Sequence, residues 1–295
     1  MKINWKCNSC DGIYESLDVR FTKACDNNCP FCIEKTGLAS LGETNISAMI
    51  KSVAKSGLKN ILIVGGEPFL DIHSLYRFVL GVRTETQVEN IYITTSLPFS
   101  ICRNLECTNL FIEIMKLING LNVSLQSTDP ILNNVILHAS HLHDRIKLLK
   151  GIIYSGVDIR NKVRVNLNLT KEGINSRESL RESVNRLLRM GVKCIKINEL
   201  QDSSSYVSFE ELFPEVKLGS PYSTGCQTDI TDYFITRYQD QKILLKRSCF
   251  LVEKSKLATF SDLVKLVVKK FKNKKHKFGV LYENGILSSH WIKEK

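Results

Sequence analysis

Three cysteines, Cys25, Cys29 and Cys32, lie in the run Lys23-Ala24-Cys25-Asp26-Asn27-Asn28-Cys29-Pro30-Phe31-Cys32. The spacing Cys-x3-Cys-x2-Cys supplies three soft thiolates and leaves one iron of a four-iron cluster without a protein ligand. That open iron is a place where chemistry can happen. Phe31, directly before the third cysteine, is a candidate to shield one side of such a cluster, or simply to pack. Zinc sites usually draw on two ligand pairs, and no near fourth ligand accompanies this triplet, so a zinc knuckle fits the spacing poorly.

The cysteines follow Leu17-Asp18-Val19-Arg20-Phe21-Thr22, which reads as a strand, and Gly65-Gly66-Glu67-Pro68 follows a second strand, Ile61-Leu62-Ile63-Val64. Gly65 and Gly66 allow the backbone to approach a ligand with no Cβ in the way. Glu67 is either a site residue or a surface carboxylate after a tight turn. This combination resembles the radical S-adenosylmethionine (SAM) enzymes. The resemblance implies that the open iron is chelated by the amino and carboxylate groups of SAM. It also implies that an electron from the reduced cluster cleaves SAM to methionine and a 5'-deoxyadenosyl radical, which takes a hydrogen atom from the substrate. On the same resemblance the backbone around Gly66 and Glu67 receives the SAM amino group, and an external reductant such as flavodoxin or ferredoxin supplies the electron.

Weaker cofactor-binding candidates lie at other strand ends: Thr95 and Ser96, Ser124 and Gln126, Asn166 and Asn168. One member of each pair is expected to point into the mouth of the fold. The string Asn122-Val123-Ser124-Leu125-Gln126-Ser127 resembles the fourth-strand segment of the branch containing the GTP cyclase of molybdopterin synthesis. Departures from that branch are specific. Asn60 and Leu62 stand where the cyclase carries basic side chains, the carboxyl-terminal region has two cysteines instead of three, and the chain ends in Trp291-Ile292-Lys293-Glu294-Lys295. A triphosphate would lose compensating charge there. The expectation is a related enzyme acting on another small metabolite or nucleotide. Modification of a peptide or RNA is the enzymatic alternative, and a metal-dependent sensor the non-enzymatic one.

Strand and helix signals alternate through the middle of the chain and position these residues. Thr44 can cap a helix carrying Ile46, Met49, Ile50 and Val53 that ends near Gly57. Further helices are expected around Leu75–Leu80, Leu110–Ile118 and Ile146–Ile153, and another between Asn175 and Gly191 with Asn175 and Glu178 as its capping box. Strands are expected at Asn90–Thr95, Leu121–Leu125, Val163–Leu169 and Val192–Ile197. Six such repeats predict an α/β fold, a partial (β/α)6 TIM-like barrel over residues 15–215, with functional loops at the carboxyl ends of its strands. Residues 1–14 form an amino-terminal segment, and 216–295 are expected to form a small α+β appendage containing two hairpins and a helix from Ser261.

That appendage resembles the auxiliary-cluster ("twitch") domain that follows the barrel in several radical SAM subfamilies. Cys7, Cys10, Cys226 and Cys249 are its candidate ligands, for an auxiliary 4Fe-4S cluster or a structural zinc. Cys194 lies in an apolar strand and reads as a small buried residue. His138, His141 and His143 read as surface loop chemistry.

The chain has 295 residues, ten cysteines and a net charge of +11. Clustered cysteine spacings without a leader point to metal binding in a reducing, cytoplasmic setting. No apolar run is long enough to span a bilayer. Seven lysines fall between Lys265 and Lys277, so much of the charge excess is local. A solvated helix end and loop explains this more simply than a nucleic-acid groove, so a nucleic-acid partner is not favoured.

Overall fold

The computed structural model describes residues 15–32, 42–200, 204–212, 231–238, 241–248 and 277–288. Strands and helices alternate in chain order: β1 (Glu15–Thr22), α1 (Ile46–Ser56), β2 (Asn60–Gly65), α2 (Ile72–Glu85), β3 (Asn90–Thr95), α3 (Leu105–Leu117) and β4 (Gly120–Leu125). Then come α4 (Pro130–Leu137), α5 (Arg145–Tyr154), α6 (Val157–Lys162), β5 (Val163–Asn168), α7 (Arg177–Met190) and β6 (Cys194–Asn198). The short α8 (Phe209–Leu212) is followed by β7 (Thr231–Tyr238), β8 (Gln241–Ser248), β9 (Lys277–Leu281) and β10 (Leu287–Ser288).

β1 to β6 stand side by side in sequence order and all are parallel. Each crossover is helical, and right-handed crossovers between adjacent strands put the helices on one face. This is the arrangement of a partial (β/α)6 barrel, as expected. The odd-numbered strand residues Leu17, Val19, Phe21, Ile61, Ile63, Ile91, Ile93, Leu121, Val123, Val165 and Ile197 join the helices in one apolar core. Side chains alternate across a sheet, so the even positions Arg20, Thr94, Asn122, Ser124, Asn166 and Lys196 occupy the opposite, inner face. The sheet thus has a greasy outside and a polar inside.

The antiparallel hairpin β7–β8 extends the sheet beyond β6, with Ile195 opposite Ile243. The second hairpin, β9–β10, joins the other edge beside β1, with Leu17 opposite Gly279. Both expected hairpins are therefore continuous with the barrel sheet. The helix expected from Ser261, and Cys7, Cys10, Cys226 and Cys249, lie outside the described residues.

Several local expectations need correction. Asn45, not Thr44, caps α1: its side chain accepts from Ala48 N–H at 3.0 Å, while the Thr44 hydroxyl donates to Phe21 O. Asn is the better cap because its carbonyl reaches the exposed N–H groups directly. The capping box of α7 is Ser176 with Ser179, one position later than Asn175 with Glu178, and the Asn175 amide donates instead to Lys171 O at 2.6 Å. α2 and α3 begin earlier than their apolar stripes because Asp71 and Asn104 cap them. α4 and α6 were not legible as helices; α4 starts at Pro130 after the Asp129 cap and is too short to show a clear period.

Candidate cluster and cofactor site

The cysteine loop leaves the carboxyl end of β1 and lies against the turn that leaves β2. Gly66 N–H donates to Thr22 O at 2.7 Å and Glu67 N–H to Ala24 O at 2.8 Å. Two motifs some forty residues apart in sequence are thereby stitched backbone to backbone. The stitch explains the glycines. Gly65 has φ 122, and a Cβ on Gly66 would overlap the carbonyl of Ala24.

Glu67 is not a surface carboxylate. It is almost fully buried and accepts four hydrogen bonds: from Phe69 N–H (3.2 Å) and Thr95 Oγ1 (2.8 Å) on one oxygen, and from Ser96 N–H (2.7 Å) and Ser96 Oγ (2.8 Å) on the other. Burial pushes its carboxyl up to about 7 against the pull of those donors. Thr95 and Ser96 therefore hold Glu67 with their hydroxyls. Pro68 opens a short 3-10 turn, Pro68–Asp71, and is buried.

Cys25 is exposed, and Cys29 and Cys32 are half-buried. Partial desolvation of the Cys25 sulfur pushes its thiol up to about 11, with the negative charges of Glu67, Asp26 and Cys32 adding to the effect. A positively charged metal group would reverse that balance. Among the described residues, no three His, Cys, Asp or Glu side chains form a ready group for one metal ion. A four-iron cluster does not need one, because each cysteine binds a different iron and the sulfurs stay apart. The donor set, three thiols on one short loop, fits such a cluster. Phe31 is half-buried beside them.

The other candidates form a second group on the inner face of β4 to β6. Ser124, Asn166 and Lys196 are register partners in one row across the three strands. Residues two apart in a strand share a face, so Asn166 and Asn168 in β5 lie on the same side, contrary to the expectation of one inward member per pair, while Gln126 follows the end of β4. Asn168 Oδ1 accepts from Asn198 Nδ2 at 2.9 Å. The side-chain oxygens of Asn122, Gln126 and Asn166 are buried with no hydrogen-bond partner among the described residues. Buried polar atoms rarely stay unpaired in a folded chain, so these oxygens are candidate positions for donors from outside the described residues.

The sequence reading missed Asp26, Asn27, Asn134 and Arg145. Arg145 is fully buried behind the cysteine loop, with Nη2 3.0 Å from Asn27 Oδ1 and 3.6 Å from Asp26 Oδ2. His143 is not a mere surface residue: its Nε2 lies 2.7 Å from the carbonyl of Leu97, which holds a φ of 59 uncommon for leucine. Cys194 is buried, as expected.

Residues 16–133 match the family model described as a 4Fe-4S single cluster domain. This stretch carries that domain's sequence signature. It covers less than half of the chain, and it takes in the cysteine loop, Gly65 to Pro68, Thr95, Ser96, Ser124 and Gln126. No curated protein sequence matches. Among solved structures, anSMEcpe with bound AdoMet and the Cp18Cys peptide is 11% identical, with a TM-score of 0.45 over 62% of this chain and 50% of that one. The FeFe-hydrogenase maturase HydG from Carboxydothermus hydrogenoformans is 14% identical, TM-score 0.46, over 66% of this chain and 47% of that one. A radical SAM methyltransferase from Sphaerobacter thermophilus is 18% identical, TM-score 0.40, over 52% and 46%. The chain spans about half the length of these solved chains. Among the described residues no helix is long and apolar enough to cross a membrane.

Proposed function

We propose that this chain is a radical SAM enzyme, with Cys25, Cys29 and Cys32 holding a 4Fe-4S cluster and Gly65-Gly66-Glu67 placing SAM against it. The carrying observation is the backbone stitch that sets the cysteine loop and the Gly-Gly-Glu turn side by side at the carboxyl ends of β1 and β2. When bound, the reduced cluster with SAM supplies a 5'-deoxyadenosyl radical able to take a hydrogen atom from a substrate. The chain's own residues orient that chemistry. Glu67, gripped by Thr95, Ser96 and Phe69 N–H, fixes the turn, and the oxygens of Asn122, Gln126 and Asn166, without a partner among the described residues, would accept from the ligands' donors.

The polar inner face, with Arg20, Asn122, Arg164, Asn166 and Lys196 at even positions, favours a small polar metabolite or a nucleotide as substrate. A peptide or RNA is the alternative substrate. A one-electron donor such as flavodoxin or ferredoxin would serve the cluster. An auxiliary cluster at Cys7, Cys10, Cys226 and Cys249, in an appendage after residue 215, is a further part of this reading and rests on sequence alone.

Anaerobic reconstitution tests the whole. About eight irons per chain are expected with the auxiliary cluster, and about four irons plus one zinc if that centre is structural. Incubation of reduced protein with SAM should release 5'-deoxyadenosine, and Cys25→Ala, Cys29→Ala or Cys32→Ala should each abolish release. Continued cleavage without those cysteines would overturn the assignment. Deuterium entering 5'-deoxyadenosine only from a labelled peptide or RNA would reject the small-molecule substrate.

A further inference from the structure

The segment running from the end of α4 into α5 is wrapped around the cysteine loop. Asn28 N–H donates to Leu137 O at 2.9 Å, and Asp26 O accepts from both Ser140 N–H and Ser140 Oγ at 2.8 Å. Asn27 forms an isolated backbone bridge with Ala139. Arg145 sits behind these contacts. Its Nε donates to Ser96 O at 3.0 Å, Nη1 donates to Asn134 Oδ1, and Nη2 donates to Asn27 Oδ1 at 3.0 Å and stands 3.6 Å from Asp26 Oδ2. Asn27 Nδ2 passes the connection on to Ser96 Oγ at 2.9 Å, and Ser96 Oγ donates to Glu67 Oε2 at 2.8 Å.

One guanidinium thus joins the two residues that follow Cys25 to the end of β3 and, through Ser96, to Glu67. An arginine stays charged even when buried. Burial lowers the Arg145 pKa, and the nearby Asp26 carboxylate works against that. The described chain therefore holds a fixed cation and its carboxylate partner directly behind the ligand loop.

We propose that Arg145 is a positioning residue for the cluster loop, and that the Arg145–Asp26 pair sets the reduction potential of the cluster. The inference rests on the assignment of a cluster to Cys25, Cys29 and Cys32. Reduction adds one electron, and hence one unit of negative charge, to the cluster. A nearby guanidinium favours that state and a nearby carboxylate opposes it. Neutralising Arg145 leaves Asp26 uncompensated and lowers the potential; neutralising Asp26 does the reverse. A pair with only a structural role would give no such opposition of sign, because either change would loosen the same loop.

The test is a redox titration of the full chain, reconstituted anaerobically and followed by electron paramagnetic resonance. In Arg145→Gln the reduced-to-oxidised ratio at a fixed potential should fall about tenfold, which for a one-electron couple is about 59 mV. Asp26→Asn should move it the other way, and Arg145→Lys should stay near the wild type. Shifts of the same sign in Arg145→Gln and Asp26→Asn, or no shift in either, would overturn the proposal. If Arg145→Gln does not take up the cluster, Asp26→Asn decides alone, and a potential that fails to rise overturns it. A wild type that binds neither iron nor sulfide defeats the cluster assignment itself. A wild type with a cluster and unmoved variants defeats only the role of Arg145.

Discussion

Two stretches of one sheet treat their buried polar groups in opposite ways. At the ends of β1 to β3 the protein closes its own network: both oxygens of Glu67 accept two hydrogen bonds, and Arg145 makes three. On the inner face of β4 to β6, the buried oxygens of Asn122, Gln126 and Asn166 have no partner among the described residues. A group that must sit the same way in every molecule is served by a closed network. A ligand that arrives and leaves needs open positions, even though each unpaired buried oxygen costs about 1–3 kcal/mol.

The comparison breaks first at Gly66. Gly66→Ala drives a Cβ into the Ala24 carbonyl and should cost about 4 kcal/mol or more in urea unfolding, with loss of cluster uptake. Gly151→Ala in α5, where an added Cβ meets nothing within 4 Å, should instead stabilise by about 0.5–1 kcal/mol. Equal effects of the two changes would show that the backbone stitch does not constrain the site.

Glu67 gives the next largest effect. The unfolded chain releases this proton near 4.5, whereas the folded chain holds it to about 7. The unfolded state therefore binds fewer protons in that window, and stability falls as pH rises through it, by about 3 kcal/mol. Below the window both states are protonated, and above it the loss is complete. Urea midpoints measured between pH 4.5 and 7.5 should show this decline in the wild type and a flatter profile in Glu67→Gln. Identical profiles would place the ionised carboxylate comfortably in its four-donor site.

Paired asparagines sharpen the contrast at smaller scale. Asn27→Ala removes contacts to Arg145 and Ser96 and should destabilise by about 2 kcal/mol. Asn166→Ala removes an oxygen with no partner among the described residues, so relief of that cost should offset the packing lost with the amide and leave stability within about 1 kcal/mol of the wild type. Its effect should appear in binding instead, as roughly tenfold weaker SAM or substrate affinity in calorimetry. A destabilised Asn166→Ala with unaltered binding would erase the distinction between the two stretches.

Much of this architecture is legible in local patterns. The alternation in Val163–Leu167, the glycine after α7 and the apolar stripe of α1 each report on residues within a few positions of one another, and they lead to the right elements in the right order. Helix starts were legible only to within a few residues, since Asn45, Ser176 and their neighbours are near-equivalent caps until the chain has folded.

The amino-acid sequence by itself determined the thiol spacing, the Gly-Gly-Glu turn and the six-unit β/α rhythm, because covalent spacing and hydrophobic period are properties of short segments. Only the tertiary structure decided that Glu67 is buried under Thr95 and Ser96, that the Asn122 and Asn166 oxygens are buried with no partner among the described residues, and that Arg145 backs the cysteine loop. Nothing local distinguishes Arg145 from other basic residues at the start of an amphipathic helix. Its partner Asn27 lies 118 residues away, and the two meet only because parallel register and successive right-handed crossovers bring the carboxyl ends of the strands to one edge.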